Sequence, residues 1–228
     1  SPVCIATAIN STIETTYTLD GQQYVKTIKD HENNVYNVAQ IGNLCWTREN
    51  MRAVTSPTTG SYLINSEYSQ GANKSASWVN CDSVTNSMYG VLYNYCAAAD
   101  IYNSNLSEIS NGANTTATAY PQAVPQEGHR GICPEGWHIS SVAEFNALKA
   151  EASKSGDLCI GDWNTSSASG SPGDANYANR NRLGFSAFAT GMYGNGRGCS
   201  TQYLGEYSLF WTTVKVDNNN DSHQMVGV

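Results

Sequence analysis

Apolar and polar positions change over in short blocks along this chain, and the blocks predict strands joined by turns more often than helices. Residues 5–19 are rich in Thr, Ile and Tyr, which suits an extended strand, yet no alternation there fixes a buried face. Residues 1–23 therefore read as a β-prone N-terminal arm. From Tyr24 a meander begins, with Tyr24 to Lys29 as one strand, a turn at Asn33-Asn34, and Val35 to Gln40 as the next. A second turn at Gly42-Asn43 leads into Leu44-Cys45-Trp46. Such a start commits the fold to antiparallel pairing.

Residues 55–88 and 103–130 are Ser/Asn/Gly-rich and aperiodic, and they read as long surface loops around the short apolar segment Val91 to Ala99. One helix follows. Ser141 is its N-cap, Glu144 completes a capping box, Val142, Phe145 and Leu148 form an apolar stripe, and Gly156 is the expected stop. After an irregular stretch from Asp157 to Arg182, Gly184 to Ala189 and Phe210 to Thr213 read as buried strands. The predicted fold class is α+β: one main helix against small antiparallel sheets with long loops, in residues 24–228.

Composition narrows the partners. Charged residues are 14% of the 228-residue chain, so solubility rests on neutral polar groups. A net charge of −7 leaves no basic stripe for a phosphate backbone or an anionic bilayer, so no nucleic-acid partner is expected. No apolar run is long enough for a membrane span, and Ser1-Pro2-Val3-Cys4 does not look like a signal peptide; an exported form is expected to have shed its leader or anchor.

Seven cysteines stand at positions 4, 45, 81, 96, 133, 159 and 199, without a Cys-x-x-Cys pair. Zinc and thioredoxin-type redox sites draw on closely spaced cysteines, so dispersed disulfides in an oxidising compartment are the better reading. An odd count leaves one thiol over, and many pairings satisfy the sequence. Sequential pairing is the expectation: Cys45 to Cys81, Cys96 to Cys133 and Cys159 to Cys199, with Cys4 free or available to a second chain.

Five segments occur in an order that resembles the Fibrobacter succinogenes major paralogous domain family. They are Tyr36 to Met51, Leu92 to Ala98, Gly131 to Leu148 (opening Gly131-Ile132-Cys133-Pro134-Glu135-Gly136-Trp137-His138), Gly184 to Gly191, and Phe210 to Thr213. The resemblance implies a C-type-lectin-like fold and an extracellular or cell-surface role in adhesion or recognition, with no established reaction and no cofactor. Two departures stand out. Members continue into a closing strand ending in a Phe-Ser-Val-Arg-Cys-like segment, whereas this chain ends Met225-Val226-Gly227-Val228, and residues 1–23 lie outside the pattern. Without a closing strand the sheet keeps an open edge, and the arm is the natural donor for it. The expectation is self-association by strand addition into a head-to-tail, filament-like homopolymer. The alternative is a stand-alone module for a glycan or a surface protein.

Candidate chemistry is sparse. His138 sits in the family segment and reads as structural; His31, His129 and His223 form no metal-binding spacing with it. Asp157, Asp162 and Asp174 read as solvated loop acids rather than a glycosidase pair. Asp217-x-Asn219-x-Asp221 begins like a calcium loop, but Ser222 replaces the turn glycine and Val228 the bidentate Glu. Trp163-Asn164 is followed by Thr165, so the sugar-binding triplets of C-type lectins are absent. No catalytic or metal-binding residue is assigned, and the chain is read as non-enzymatic. Ligand stacking falls to Trp163, Tyr177, Tyr193 and Tyr203 in the loop-rich half. Sequons at Asn10, Asn73, Asn105, Asn114 and Asn164 mark where glycans could attach.

Overall fold

Asp20 and Gly21 turn the first hairpin, both in the left-handed region at φ 49° and 78°, as a two-residue turn matched to twisted strands requires. They join β1 (Ile13–Leu19) to β2 (Gln22–Lys29), with Leu19 opposite Gln22. In the computed structural model, which describes residues 4–6, 12–64, 74–101, 127–193, 199–215 and 223–228, β3 (Val35–Ile41) and β4 (Leu44–Thr47) complete a four-stranded antiparallel meander. The arm is thus engaged within its own chain. Ile5 bridges Tyr24, and Ala6 N–H donates to Gln23 O at 3.0 Å while Val25 N–H donates to Cys4 O at 2.9 Å. Since β1 occupies the other side of β2, the arm holds that strand from both edges.

The β2–β3 turn is built on one buried carboxylate. Asp30 Oδ1 accepts the backbone N–H groups of Glu32 and Asn34, each at 2.9 Å, and Asn33 takes the left-handed φ of 64°. Short Asx side chains make such turns because they replace a backbone acceptor. Tyr36, fully buried, donates its hydroxyl to Asp30 Oδ2 at 2.7 Å and accepts the Arg52 N–H at 2.9 Å, which pins the following segment to the meander.

Beyond the meander, β5 (Ala76–Trp78) pairs with β6 (Val91–Tyr93), and the short α1 (Tyr95–Ala98) follows, capped by Asn94, whose Oδ1 accepts Ala97 N–H at 2.9 Å. Residues 55–88 are therefore not loop throughout. The main helix, α2 (Val142–Ala150), opens on the expected capping box: Glu144 N–H donates to Ser141 Oγ at 3.2 Å and Ser141 N–H to Glu144 Oε2 at 2.8 Å. It ends at Ala150, short of Gly156. That glycine lies in a 3-10 turn, Ser155–Leu158, where a Cβ would come 2.8 Å from the Tyr177 ring.

Three further corrections concern the second half. Residues 184–189 form no ladder; Gly184 and Ser186 take left-handed φ values of 76° and 62°, and the segment makes one bridge, from Ala187 to Cys159, although Phe185, Ala187 and Ala189 are all buried as a strand's inner face would be. After the short pair β7 (Met192–Tyr193) and β8 (Thr201–Gln202), β9 (Leu209–Lys215) is joined by β10 (His223–Gly227), antiparallel, with Met225 opposite Trp211. A closing strand is thus present. Ladder bonds are backbone bonds, so the missing Phe-Ser-Val-Arg-Cys-like sequence did not remove it. Finally, the disulfides are Cys4–Cys45 and Cys81–Cys199, with Cα–Cα distances of 5.6 and 5.1 Å, while Cys96, Cys133 and Cys159 are thiols. Sequential pairing fails because Cys4, expected to be free, bridges Cys45, its next cysteine in the chain, and Cys81 is brought to Cys199 across 118 residues, which sequence spacing does not indicate.

The core is divided. Phe145 and Leu148 of α2, each 1% exposed, pack with Ile41, Leu158, Phe185 and Ala187, bordered by Trp46 and Phe210. Burying each of these two side chains is worth roughly 2 kcal/mol. A second cluster gathers Ala53, Leu63, Val91, Ala97 and Ile132, and a third Tyr95, Ala99 and Ile139 with Trp211 beside them.

Candidate functional site: an apolar cleft bordered by sheet edges

The three clusters do not merge. A cleft of about 990 Å³ opens among them, walled by Val25 and Ile28 of β2, by β4, by β6, by residues 132–134 and 136–140, and by Leu209, Phe210 and Trp211 of β9. Its volume is at the upper end of ligand pockets, which run to roughly 1,000 Å³. β4 is the terminal strand of the meander and β9 the end of its two-stranded sheet, so two sheet edges border the space.

The segment Gly131 to His138 forms one wall because it is fastened at both ends. Gly131 lies at φ 55°, and a Cβ there would stand 2.3 Å from Ala98 O, so only glycine lets this segment lie on α1. Ile132 N–H donates to Ala98 O at 2.9 Å. At the far end His138 Nε2 meets Glu144 Oε1 at 3.0 Å, fastening the segment to the cap of α2. Burial pushes the Glu144 carboxyl up, but bonds from Ser141 and His138 outweigh it and hold it below the usual carboxylate range. His138 is thus hydrogen-bonded at the cleft wall.

The largely apolar lining also carries polar side chains, among them Glu49, Asn50, His138, Glu144 and Gln202, and two of its polar atoms are orphaned. Ser208, 1% exposed, and Trp46 both line the cleft, and Ser208 Oγ and Trp46 Nε1 are buried without a hydrogen-bond partner. Each such group costs about 1–3 kcal/mol when left unpaired. Nothing in the sequence marks Ser208, and Trp46 is marked only as part of a strand and of a family segment, because lining a cleft is a tertiary property.

Burial disfavours the thiolate form of the three thiols. Burial pushes Cys133, on the cleft wall, and Cys159 up to about 12, and raises Cys96 as well, so all three stay protonated at neutral pH. Among the described residues no three His, Cys, Asp or Glu side chains are grouped to hold a metal ion. No helix among them is long and apolar enough to cross a membrane.

The four aromatic candidates do not converge. Trp163 packs against the α2 core and donates its indole N–H to Ile160 O at 3.1 Å. The Tyr177 hydroxyl donates to Asp157, a carboxylate that is fully buried rather than solvated, since Arg182 and the Ser153 N–H also bind it. Tyr193 lies in β7, and its side chain is outside the described residues. Of the three described side chains Tyr203 is the exposed one: it lines the cleft, is half exposed, and meets the equally exposed Tyr207 edge-on at 5.6 Å. Of the sequons, Asn164 is exposed, while Asn10, Asn73, Asn105 and Asn114 lie outside the described residues, as does the Asp217 to Asp221 segment.

Fold and cleft together define a disulfide-stapled α+β module with a largely apolar recess. The chain belongs to the Fibrobacter succinogenes major domain family, whose model matches residues 39–228. No curated protein and no solved structure matches it. The match begins within β3, so β1 and β2 lie outside it. Two disulfides fit a chain that folds in an oxidising compartment outside the cytoplasm.

Proposed function

We propose that this protein is a non-enzymatic extracellular module of cell-surface adhesion or assembly, with a C-type-lectin-like fold, whose cleft receives an apolar extended segment from a second copy in a filament-like homopolymer. The observation that carries this reading is the cleft itself: about 990 Å³, largely apolar in its lining, and bordered by the edge strands β4 and β9. An incoming strand gains backbone bonds from a sheet edge and places alternate side chains in the recess, the mode by which sheets are extended in trans. Because residues 4–6 and β1 are paired in cis and β10 covers one side of β9, the incoming strand enters the cleft rather than replacing either of them.

The test is electron microscopy of the full chain across concentration, beside Ser208→Phe and Met51→Arg variants that fill or charge the cleft. Filaments or head-to-tail oligomers from the parent chain, reduced in folded variants, are expected. Monodisperse monomer at every concentration overturns the assembly reading. A second reading rests on the exposed Tyr203–Tyr207 pair, which offers aromatic faces to a glycan. Glycan-array binding abolished by Tyr203→Ala, with the fold intact, favours it.

A further inference from the structure

Outside the cleft, one buried cluster holds two mutually reactive groups in contact. Lys74 Nζ lies 2.5 Å from Asp100 Oδ1, and the two side chains are only 10% and 5% exposed. Ser56, 1% exposed, stands between them: its Oγ accepts from Lys74 Nζ at 3.1 Å and donates to Asp100 Oδ1 at 2.6 Å. The other carboxylate oxygen, Oδ2, accepts both the Thr58 N–H at 3.2 Å and the Thr58 hydroxyl at 2.5 Å. A buried ion pair is a weak source of stability, because desolvating two charges offsets most of their attraction.

We propose that Lys74 and Asp100 condense into an intramolecular amide that cross-links the entry of β5 to the exit of α1. One ammonium proton passes along the Nζ–Oδ1 hydrogen bond, freeing the nitrogen lone pair to attack the carboxyl carbon. Oδ2 carries the developing charge and becomes the amide oxygen, held by the two Thr58 donors in the manner of an oxyanion site. A second proton leaves nitrogen through Ser56 Oγ to Oδ1, the C–Oδ1 bond breaks, and Oδ1 departs as water. Nitrogen keeps one hydrogen. Ammonium and carboxylate thus give a neutral amide and one water, with no oxidant or co-reactant.

Proximity supplies most of the rate, since reacting groups held in contact are equivalent to very high effective concentrations. Burial pushes the Asp100 carboxyl up, but bonds from Lys74, Ser56 and Thr58 outweigh it and hold it below the usual carboxylate range. The resting state is accordingly the ion pair, and the first proton transfer is uphill. The step is slow but is needed only once per molecule. Its product removes both charges from a dry site and joins segments that neither disulfide connects.

Intact-mass spectrometry of the reduced, denatured full chain tests this directly. The expected result is a mass one water below that of the sequence, with a branched peptide joining Lys74 to Asp100 in the digest. Lys74→Arg, which keeps the charge and the hydrogen-bonding capacity, is expected at its full sequence mass. In Ser56→Ala the dehydrated form is expected to accumulate roughly a hundredfold more slowly, the loss typical of a missing proton-transfer group. A parent chain that keeps its full mass after prolonged incubation, while folded by circular dichroism, overturns the proposal, and so does a lost water that maps to any other pair of residues.

Discussion

Asp157 shows how a single residue is decided by its surroundings. In the sequence it stands in a polar, irregular stretch and reads as a solvated acid; in the structure it is fully buried, bound by Tyr177, by Arg182 Nη2 at 2.8 Å and by the Ser153 N–H at 2.9 Å. Burial pushes its carboxyl up, but those bonds outweigh it and hold it at about 2, below its ordinary 3.8. A folded-state value below the unfolded one contributes stability that is complete above the unfolded value and disappears as pH falls through the folded one. The stabilisation is therefore full above pH 3.8 and lost on the way down to about 2. Chemical-denaturation curves through that window should show the parent chain losing stability relative to Asp157→Asn, whose amide does not titrate. Parallel curves for the two proteins contradict the assignment. No residue near Asp157 in sequence announces this, because Tyr177 and Arg182 arrive from 20 and 25 positions away.

At the scale of elements, legibility follows the range of the interactions that make each one. The capping box of α2 was readable because Ser141 and Glu144 are three residues apart. The β2–β3 and β3–β4 turns were readable for the same reason. The Asp20-Gly21 hairpin was equally local, and the dipeptide is a strong two-residue turn signal; reading residues 1–23 as one arm overlooked it. Gly21 gives the test. A Cβ there meets nothing within 4 Å, so Gly21→Ala costs only the left-handed backbone, roughly 1–2 kcal/mol. Hydrogen exchange is expected to quicken in β1 and the facing half of β2 while α2 keeps its protection. Equal loss in α2 would show that the arm and the core unfold as one unit. Residues 184–189 mark the opposite limit: Phe185, Ala187 and Ala189 alternate inward as in a strand, but left-handed φ values at Gly184 and Ser186 confine pairing with the neighbouring 158–160 segment to one bridge. Their pattern reports burial, and pairing is a separate matter.

For the molecule as a whole, the disulfides decide how the parts are held together. Cys4–Cys45 ties the arm to β4, and Cys81–Cys199 ties the β5 region to the segment entering β8. Non-reducing peptide maps should return these two bridges, and Cys96, Cys133 and Cys159 should resist alkylation until the chain is denatured, since all three are buried or shielded and their thiols are pushed up. Reducing the bridges should cost about 2–5 kcal/mol for each. Rapid alkylation of any of the three thiols in the folded chain would contradict this arrangement.

By itself the sequence determined the α+β class, the capped helix, the meander, the kinship carried by its ordered motifs, the acidic net charge, and that no apolar run is long enough for a membrane-spanning helix. Each of these depends on residues close together in the chain or on composition summed over it. Tertiary structure alone decided which cysteines bridge, that the arm pairs with β2 of its own chain, that β10 closes β9, and that three core clusters leave a cleft between them. The reason is physical. Closure of a long chain segment costs entropy that depends only weakly on its length, so the partner a residue finds is set by packing and shape over the whole fold rather than by any spacing written along the chain.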